Sequence, residues 1–497
     1  VAEYVTKTGL QLIEEKHMSA YDMVIKNAKI ATASDQFSAD IGIKDGKIAA
    51  LTTGLAGGDT VIDAAGRWVT PGGVDAHCHI DQASSDGSIC ADDFETGTRS
   101  AACGGTTTVI PFATQMRGQS LLAAVKDYHR RADGKALIDY GFHLIVSDPT
   151  PQVLGQELPA LIRDGYTSFK VYMTYDDMKL SDRQILDVLA VARREQAMVM
   201  VHAENAEVIA WLTEALENAG LTAPKYHATS RPRLVEREAT HRAITLAEIL
   251  DTPVLLVHVS AREAIEEIRR AQDRGLKVYG ETCPQYLFLT ADDLEKPEFE
   301  GAKCICSPPP RDAANQEYVW AGLANGTFQV FSSDHAPTRF DDPRGKKIHG
   351  ETGAFRWIPN GVPGLETRLP LLFSHGVLDG RISINKFVEL TASNPAKLYG
   401  LYPRKGTIAI GSDADLVIWD SETARQICNE NLHHNVDYTP YEGIELRAWP
   451  AVTMSRGTVV WDGAAPLDAA GRGQFLECDL PETARPNQAH VAAPWLL

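Results

Sequence analysis

Two histidines flank one cysteine at the end of an apolar run, PGGVDAHCHID, over residues 71–81. Side chains alternate along a strand, so His77 and His79 share a face and both can reach one ion. Four further polar residues sit at or near the ends of apolar runs. They are Lys170 in SFKVYM, His202 in VMVHAEN, His258 in LLVHVS and Asp334 in FQVFSSDHAP. A lone histidine at a strand end is more often a satisfied hydrogen-bonding residue than a ligand. Four histidines, a carboxylate and a lysine brought to one place are different, because burying them without a shared partner is costly. A metal centre is the economical explanation. Imidazole and carboxylate donors suit zinc, manganese, iron or cobalt without any cysteine. The set exceeds the usual protein ligands of one catalytic zinc, so paired metals are expected.

These residues must be held by repeated β–α units. Apolar runs such as TTTVIPF, YGFHLIV, TSFKVYM, AMVMVHAEN and TPVLLVHVS are each followed by a helical stretch. Strands that are hydrophobic on both faces mean a parallel sheet. About eight such units favour a closed (β/α)8 barrel over an open sheet, with its active site at the C-terminal rim of the strands. Short strands precede the barrel (DMVIKNAKI, DIGIKDGKIAAL) and return after it (GTIAIGSDADLVIWD, AVTMSRGTVVWDG), which predicts one β-sandwich built from both ends. The expected division is a leader at 1–17, sandwich at 18–70, barrel at 71–402, sandwich at 403–465 and an extended arm at 466–497. The leader has no signal-peptide core and reads as an addition outside the fold.

The chain has 497 residues, 44% hydrophobic and 23% charged, the composition of a globular protein. Its net charge of −18 argues against a nucleic-acid or anionic-membrane partner. No apolar run approaches a membrane span. The eight cysteines include no C-x-x-C pair, so buried reduced thiols in a cytoplasmic protein are expected. The C-x-C at Cys304 and Cys306 would put both thiols on one face of a strand.

Taken together, GGVDAHCHID, ADDFETGTRSAACGGTTT, FKVYMTY, VHAEN, VHVS, GETCPQYL, SPPPR, SSDHAP, IPNGVPGLETR and SNPAKLYGLYPRKGTIAIGSDADLVIWD closely resemble the dihydropyrimidinase/hydantoinase family of the amidohydrolase superfamily. The resemblance runs from about Tyr21 to about Leu476. It implies two divalent ions, zinc first and manganese second. His77 and His79 would bind one, His202 and His258 the other. Lys170 would be carboxylated and bridge both. Asp334 would bind the first ion and shuttle the proton, and Tyr175 would hydrogen-bond the developing oxyanion. Ser307 and Asn360 would hold the ring amide, mostly through main-chain groups. The implied substrate is a small neutral cyclic amide: dihydrouracil, dihydrothymine or a 5-substituted hydantoin. The implied assembly is a homo-oligomer, a tetramer in relatives, and the C-terminal arm is a candidate for exchange between copies.

Three rivals share the scaffold. Dihydroorotase commonly carries an Arg two residues after H-x-H to meet a substrate carboxylate; here Asp81 stands there, steering toward neutral rings. Allantoinase is a closer alternative. The non-catalytic collapsin response mediator proteins lack the metal ligands, all of which this chain keeps. The loop DQASSDGSIC, from Asp81 to Cys90, should lie at the pocket mouth, with Phe94 or Tyr172 supplying apolar wall.

Overall fold

The computed structural model describes residues 20–84, 86–467 and 470–487. The leader at 1–17 lies outside them, as do Ser85 of the mouth loop and the last ten residues of the arm.

Among the described residues, eight parallel strands make the barrel. They are Gly73–Asp75, Thr106–Val109 continued by Phe112–Thr114, Asp139–Tyr140 continued by His143–Ile145, Ser168–Tyr172, Met198–His202, Val254–Leu256, Val278–Thr282 and Val330–Phe331. The breaks are local, because the Ile110 and Gly141 amides still bond across to Asp75 and Val109 (2.9 and 3.0 Å). The last strand closes on the first through a parallel bridge between Cys78 and His335 and a 2.9 Å bond from the Asp334 amide to the His77 carbonyl. Val199 and Val201 face the surrounding helices, while Met198 and Met200 face another cluster, the alternation a covered parallel strand requires. The helices between strands are amphipathic and capped. Arg262–Asp273 buries Ala264, Ile265, Ile268 and Ala271, and Ser181 closes a capping box with Gln184 ahead of Asp182–Glu195.

The two ends of the chain form one mixed sheet. Trp68–Pro71 pairs antiparallel with Leu416–Asp420, Val417 opposite Thr70, and so joins the N-terminal strands to Trp449–Ser455 and Thr458–Trp461. Ile25, Ile41, Ile43, Val69, Leu416, Ile418 and Met454 share its core. Gly72 carries the chain from this sheet into the barrel; a Cβ there would lie 2.2 Å from Thr107 Oγ1, so only glycine fits. Between Asp420 and Trp449 the chain leaves the sheet, and Ile427, Val436, Tyr438 and Tyr441 pack with Leu289, Phe299 and Ile358 of the barrel loops.

Two expectations change. Cys304 and Cys306 do not lie on a strand: Glu300–Cys304 is a 3-10 turn, and the two thiols enter different apolar clusters. The described part of the arm does not reach away from its own chain. It runs beneath the barrel, with Leu476 bonded to Tyr140 (2.7 Å), Cys478 to Gly165 (3.0 Å), and the Phe475 ring 5.3 Å from Phe142. Leu476 is fully buried there and Phe475 packs partly buried against the core.

Sandwich and barrel are tied by a buried ion cluster. Lys405, 1% exposed, reaches Asp415 at 2.7 Å, Asp139 at 2.8 Å and Asp413 at 3.1 Å, and Arg456 meets Asp139 at 3.0 Å. Removing one partner of such a cluster leaves buried charge uncompensated, at a cost of roughly 3–5 kcal/mol. Lys405→Met should therefore lower the urea midpoint of unfolding by an amount equivalent to about 3–5 kcal/mol; an unchanged midpoint would show that the cluster does not join the domains.

Candidate active site at the barrel rim

The barrel strands deliver the candidate residues to one place. In Ser168–Tyr172 and Met198–His202, Lys170 pairs in register with Met200, and Tyr172 with His202. Met200 pairs in turn with Leu255. Strict alternation from Leu255 would send His258 outward. Its backbone is instead left-handed (φ +39°), and its ring lies 4.4 Å from that of His202. Asp334 (φ +46°) and Tyr175 (φ +69°) occupy the same sparsely populated region. For residues other than glycine this is strained, and such strain gathers at functional sites.

Asp334 Oδ1 lies 3.3 Å from His77 Nε2 and 3.3 Å from His79 Nε2. The ligand atoms of these three residues fall within 4.8 Å of one another. Lys170 Nζ approaches His77 Nε2 at 2.8 Å, and the His77 and His258 rings are 5.3 Å apart. His202 stacks on Tyr172 and meets the Tyr175 ring edge-on at 5.2 Å. Lys170, His202, His258, Asp334, Ser307 and Asn360 all line one cavity of about 850 Å3; His77 lies beneath it, fully buried. The Ser307 hydroxyl donates to Asn360 Oδ1 at 2.6 Å.

Burial sets the electrostatics. It pulls His77, His202 and His258 well below the ordinary histidine value, helped by Lys170 beside each, so their rings are neutral donors. Burial also pulls Lys170 down to about 8, against the opposing pull of Asp334 and Glu281. Burial alone would raise the Asp334 carboxyl; the His79 hydrogen bond and the neighbouring His258 and Lys170 bring it below its usual value. Burial pushes the Tyr175 hydroxyl up to about 12, which keeps it protonated at neutral pH.

Several residues at the site were not singled out by sequence reasoning. His77 Nδ1 faces Glu281 Oε1 at 2.5 Å, and that oxygen also accepts the His258 amide at 3.1 Å. Glu204 accepts His202 Nε2–H at 2.9 Å and Arg231 at 2.7 Å. Gln82 bonds His79 Nδ1. Glu204 follows the strand end at His202 by two residues, in the loop over residues 203–205, and Glu281 is identifiable only once the barrel closes.

Two readings of the mouth are corrected. Phe94 is no part of the wall; it is fully buried 5.3 Å from the Tyr128 ring, while Tyr172, Phe355 and Trp357 line the cavity. Asp81 does not line it either: its carboxylate pairs with Arg131 at 3.1 Å, so its charge is spent there and cannot select the substrate. Gln82, Ser84, Asp86 and Ser88 of the same loop do line the mouth. A second cluster, Cys103, Glu366 and His433, also gathers ligand atoms within 4.8 Å. There Glu366 already accepts the His433 amide (2.8 Å), the His433 ring (2.9 Å) and the Ser100 hydroxyl (3.3 Å), the pattern of a hydrogen-bonded staple.

Comparison with known proteins places this geometry. The amidohydrolase family profile matches residues 68–460. The D-hydantoinase of Rhizobium radiobacter is 47% identical over 457 residues, spanning 91% of this chain and 98% of that protein. The D-hydantoinase of Ralstonia pickettii is 46% identical, spanning 92% and 98%. The crystal structure of dihydropyrimidinase from Brevibacillus agri superposes with a TM-score of 0.90 at 43% identity, covering 92% of this chain and 99% of that one. The barrel, its rim of histidines and this relatedness over nearly the full length agree: the chain belongs to the D-hydantoinase/dihydropyrimidinase family of the amidohydrolase superfamily.

Proposed function

We propose that this chain hydrolyses the cyclic amide bond of 5,6-dihydropyrimidines and 5-substituted hydantoins, giving N-carbamoyl amino acids. The observation that carries the reading is the meeting of His77, His79, Lys170, His202, His258 and Asp334 at one barrel rim, in a chain related along its length to hydantoinases.

The donor set fits two divalent ions, zinc or manganese. His77, His79 and Asp334 would hold the first. His202 and His258 would hold the second, and among the described residues no third His, Cys, Asp or Glu completes their group. Lys170 is the group placed to do so. As a free amine it lies against a histidine nitrogen, and its lowered basicity favours attack of the nitrogen lone pair on CO2. That step would form an N–C bond as a C=O π bond of CO2 opens, release one proton and leave an anionic carbamate as an oxygen ligand. His258 Nδ1, buried without a hydrogen-bond partner, is a further open donor. Glu281 and Glu204 support the fit: each takes one nitrogen of a histidine and leaves the other free.

When bound, such ions lower the pKa of water toward neutrality and polarise a carbonyl. The chain does the rest. Ser307 and Asn360 hold the ring amide across the cavity. Asp334, kept ionised, takes a proton from the attacking water and returns it to the leaving ring nitrogen. Tyr175, kept protonated, donates to the carbonyl oxygen as negative charge builds there. An assembly of several copies and a cytoplasmic setting belong to the same proposal; the free cysteines suit a reducing compartment. Among the described residues no helix is long and apolar enough to cross a membrane.

A substrate panel of dihydrouracil, hydantoin, phenylhydantoin, allantoin and dihydroorotate tests the reading. Turnover should appear on dihydrouracil and the hydantoins, stop with chelator and return with zinc or manganese. Chelator-insensitive turnover, or activity on dihydroorotate alone, would overturn it. Asp334→Asn should lower kcat by roughly two to four orders of magnitude. Glu281→Gln keeps the shape but removes the carboxylate behind His77. It should weaken metal retention by about 10–100-fold in chelator competition; unchanged retention would contradict a supporting role.

A further inference from the structure

Lys346 lies behind the cavity, 1% exposed, with no carboxylate partner among the described residues. Its Nζ donates to three main-chain carbonyls: Pro359 at 2.6 Å, Gly361 at 2.7 Å and Ile305 at 3.3 Å. An ammonium has three N–H donors and no acceptor, so three carbonyls match its protonated form. Burying a cation without a counter-ion is costly, and oriented carbonyl dipoles offset that cost only while the loops hold this shape.

The carbonyls belong to the two loops that carry Ser307 and Asn360. Asn360 sits between the two shorter contacts, and Ser307 follows Ile305 by two residues. The Ile305 carbonyl also accepts the Gly361 amide at 3.0 Å, so both loops share one acceptor. A trans peptide points its N–H opposite to its C=O. With the Pro359 carbonyl turned toward Lys346, the Asn360 N–H points the other way. Asn360 lines the cavity, and its N–H meets no acceptor among the described residues.

We propose that Lys346 is a positioning residue for substrate: its ammonium fixes the peptide groups flanking Asn360 so that the free Asn360 N–H is presented to the ring amide. The inference rests on the proposed role of Ser307 and Asn360. Burial pulls the Lys346 amine down to about 7. The titratable groups facing it are Cys304, Cys306 and His227; burial pushes both thiols up, Cys304 to about 11, and His227 down to about 3. None of these changes charge near neutral pH, so the local switch is Lys346 itself. Deprotonation removes one of its three donors, which loosens the loops as pH rises through that value.

The experiment compares the metal-loaded enzyme with Lys346→Met and Lys346→Gln. Lys346→Met should raise KM at least tenfold with kcat within about threefold and metal content unchanged; Lys346→Gln, which keeps an amide donor, should fall between. A folded variant with wild-type KM overturns the proposal, and so does a variant that loses kcat with KM intact. Asn360→Pro, which removes the N–H itself and leaves Lys346 in place, separates this inference from the reading beneath it. If a folded Asn360→Pro raises KM and Lys346→Met does not, only the Lys346 inference fails; if neither moves KM, the assignment of Asn360 to the ring fails too. Should neither lysine variant fold, the wild-type KM decides: it should rise several-fold between pH 6 and pH 9, and a flat KM overturns the proposal.

Discussion

The contact on which the site turns is that between Lys170 and His77. A lysine nitrogen stands 2.8 Å from a histidine nitrogen, both buried; Glu281 holds the far side of that ring at 2.5 Å, and Asp334, 3.3 Å from the same nitrogen, is also shared with His79. An ammonium there would face any bound cation at close range, and like charges in a poorly screened interior repel strongly. The arrangement is stable with cations present only if Lys170 loses its positive charge. A carbamate, as proposed, would do more, because it would convert the residue into the anion that His202 and His258 lack as a third partner. Proposed metal number, lysine modification and proton shuttle all follow from that one replacement of charge.

The fold serves this contact by register and by strain. Parallel pairing brings Lys170, Met200 and Leu255 to one level, so His202 arrives just above Lys170. Alternation alone would have turned His258 away, and left-handed backbone at His258, Asp334 and Tyr175 re-aims the chain at the rim. The residues behind the rim are as constrained as those on it. Glu281 and Glu204 settle which nitrogen of His77 and His202 is free, and Lys346 gathers three carbonyls behind the loops of Ser307 and Asn360. The buried Lys405 cluster fixes the opposite end, where the sandwich meets the barrel floor.

Much of this was legible in the sequence, for a physical reason. Barrel strands are short apolar runs, so a histidine, lysine or aspartate at the end of one stands out, and period-two alternation turns H-x-H into a shared face. What could not be read were pairings made by barrel closure. Glu281 meets His77 across 204 residues of chain, and Asp81 meets Arg131 across 50. Asp81 therefore looked like a selector of substrate charge, although its carboxylate is already neutralised. Phe94 looked like pocket wall because it follows the mouth loop, yet it opens the helix Phe94–Cys103 on its core side. Cys304 and Cys306 looked like strand residues because their spacing is two, but a 3-10 turn intervenes. Spacing reports a face only where the element is known.

The most direct test is isotopic. Metal-loaded enzyme prepared in 13C-bicarbonate should carry one slowly exchanging carbamate carbon per chain by 13C NMR, alongside two divalent ions by elemental analysis, and Lys170→Ala should lose the signal together with the paired ions. Two ions bound with no labelled carbon, or a labelled carbon that persists in Lys170→Ala, would contradict the account.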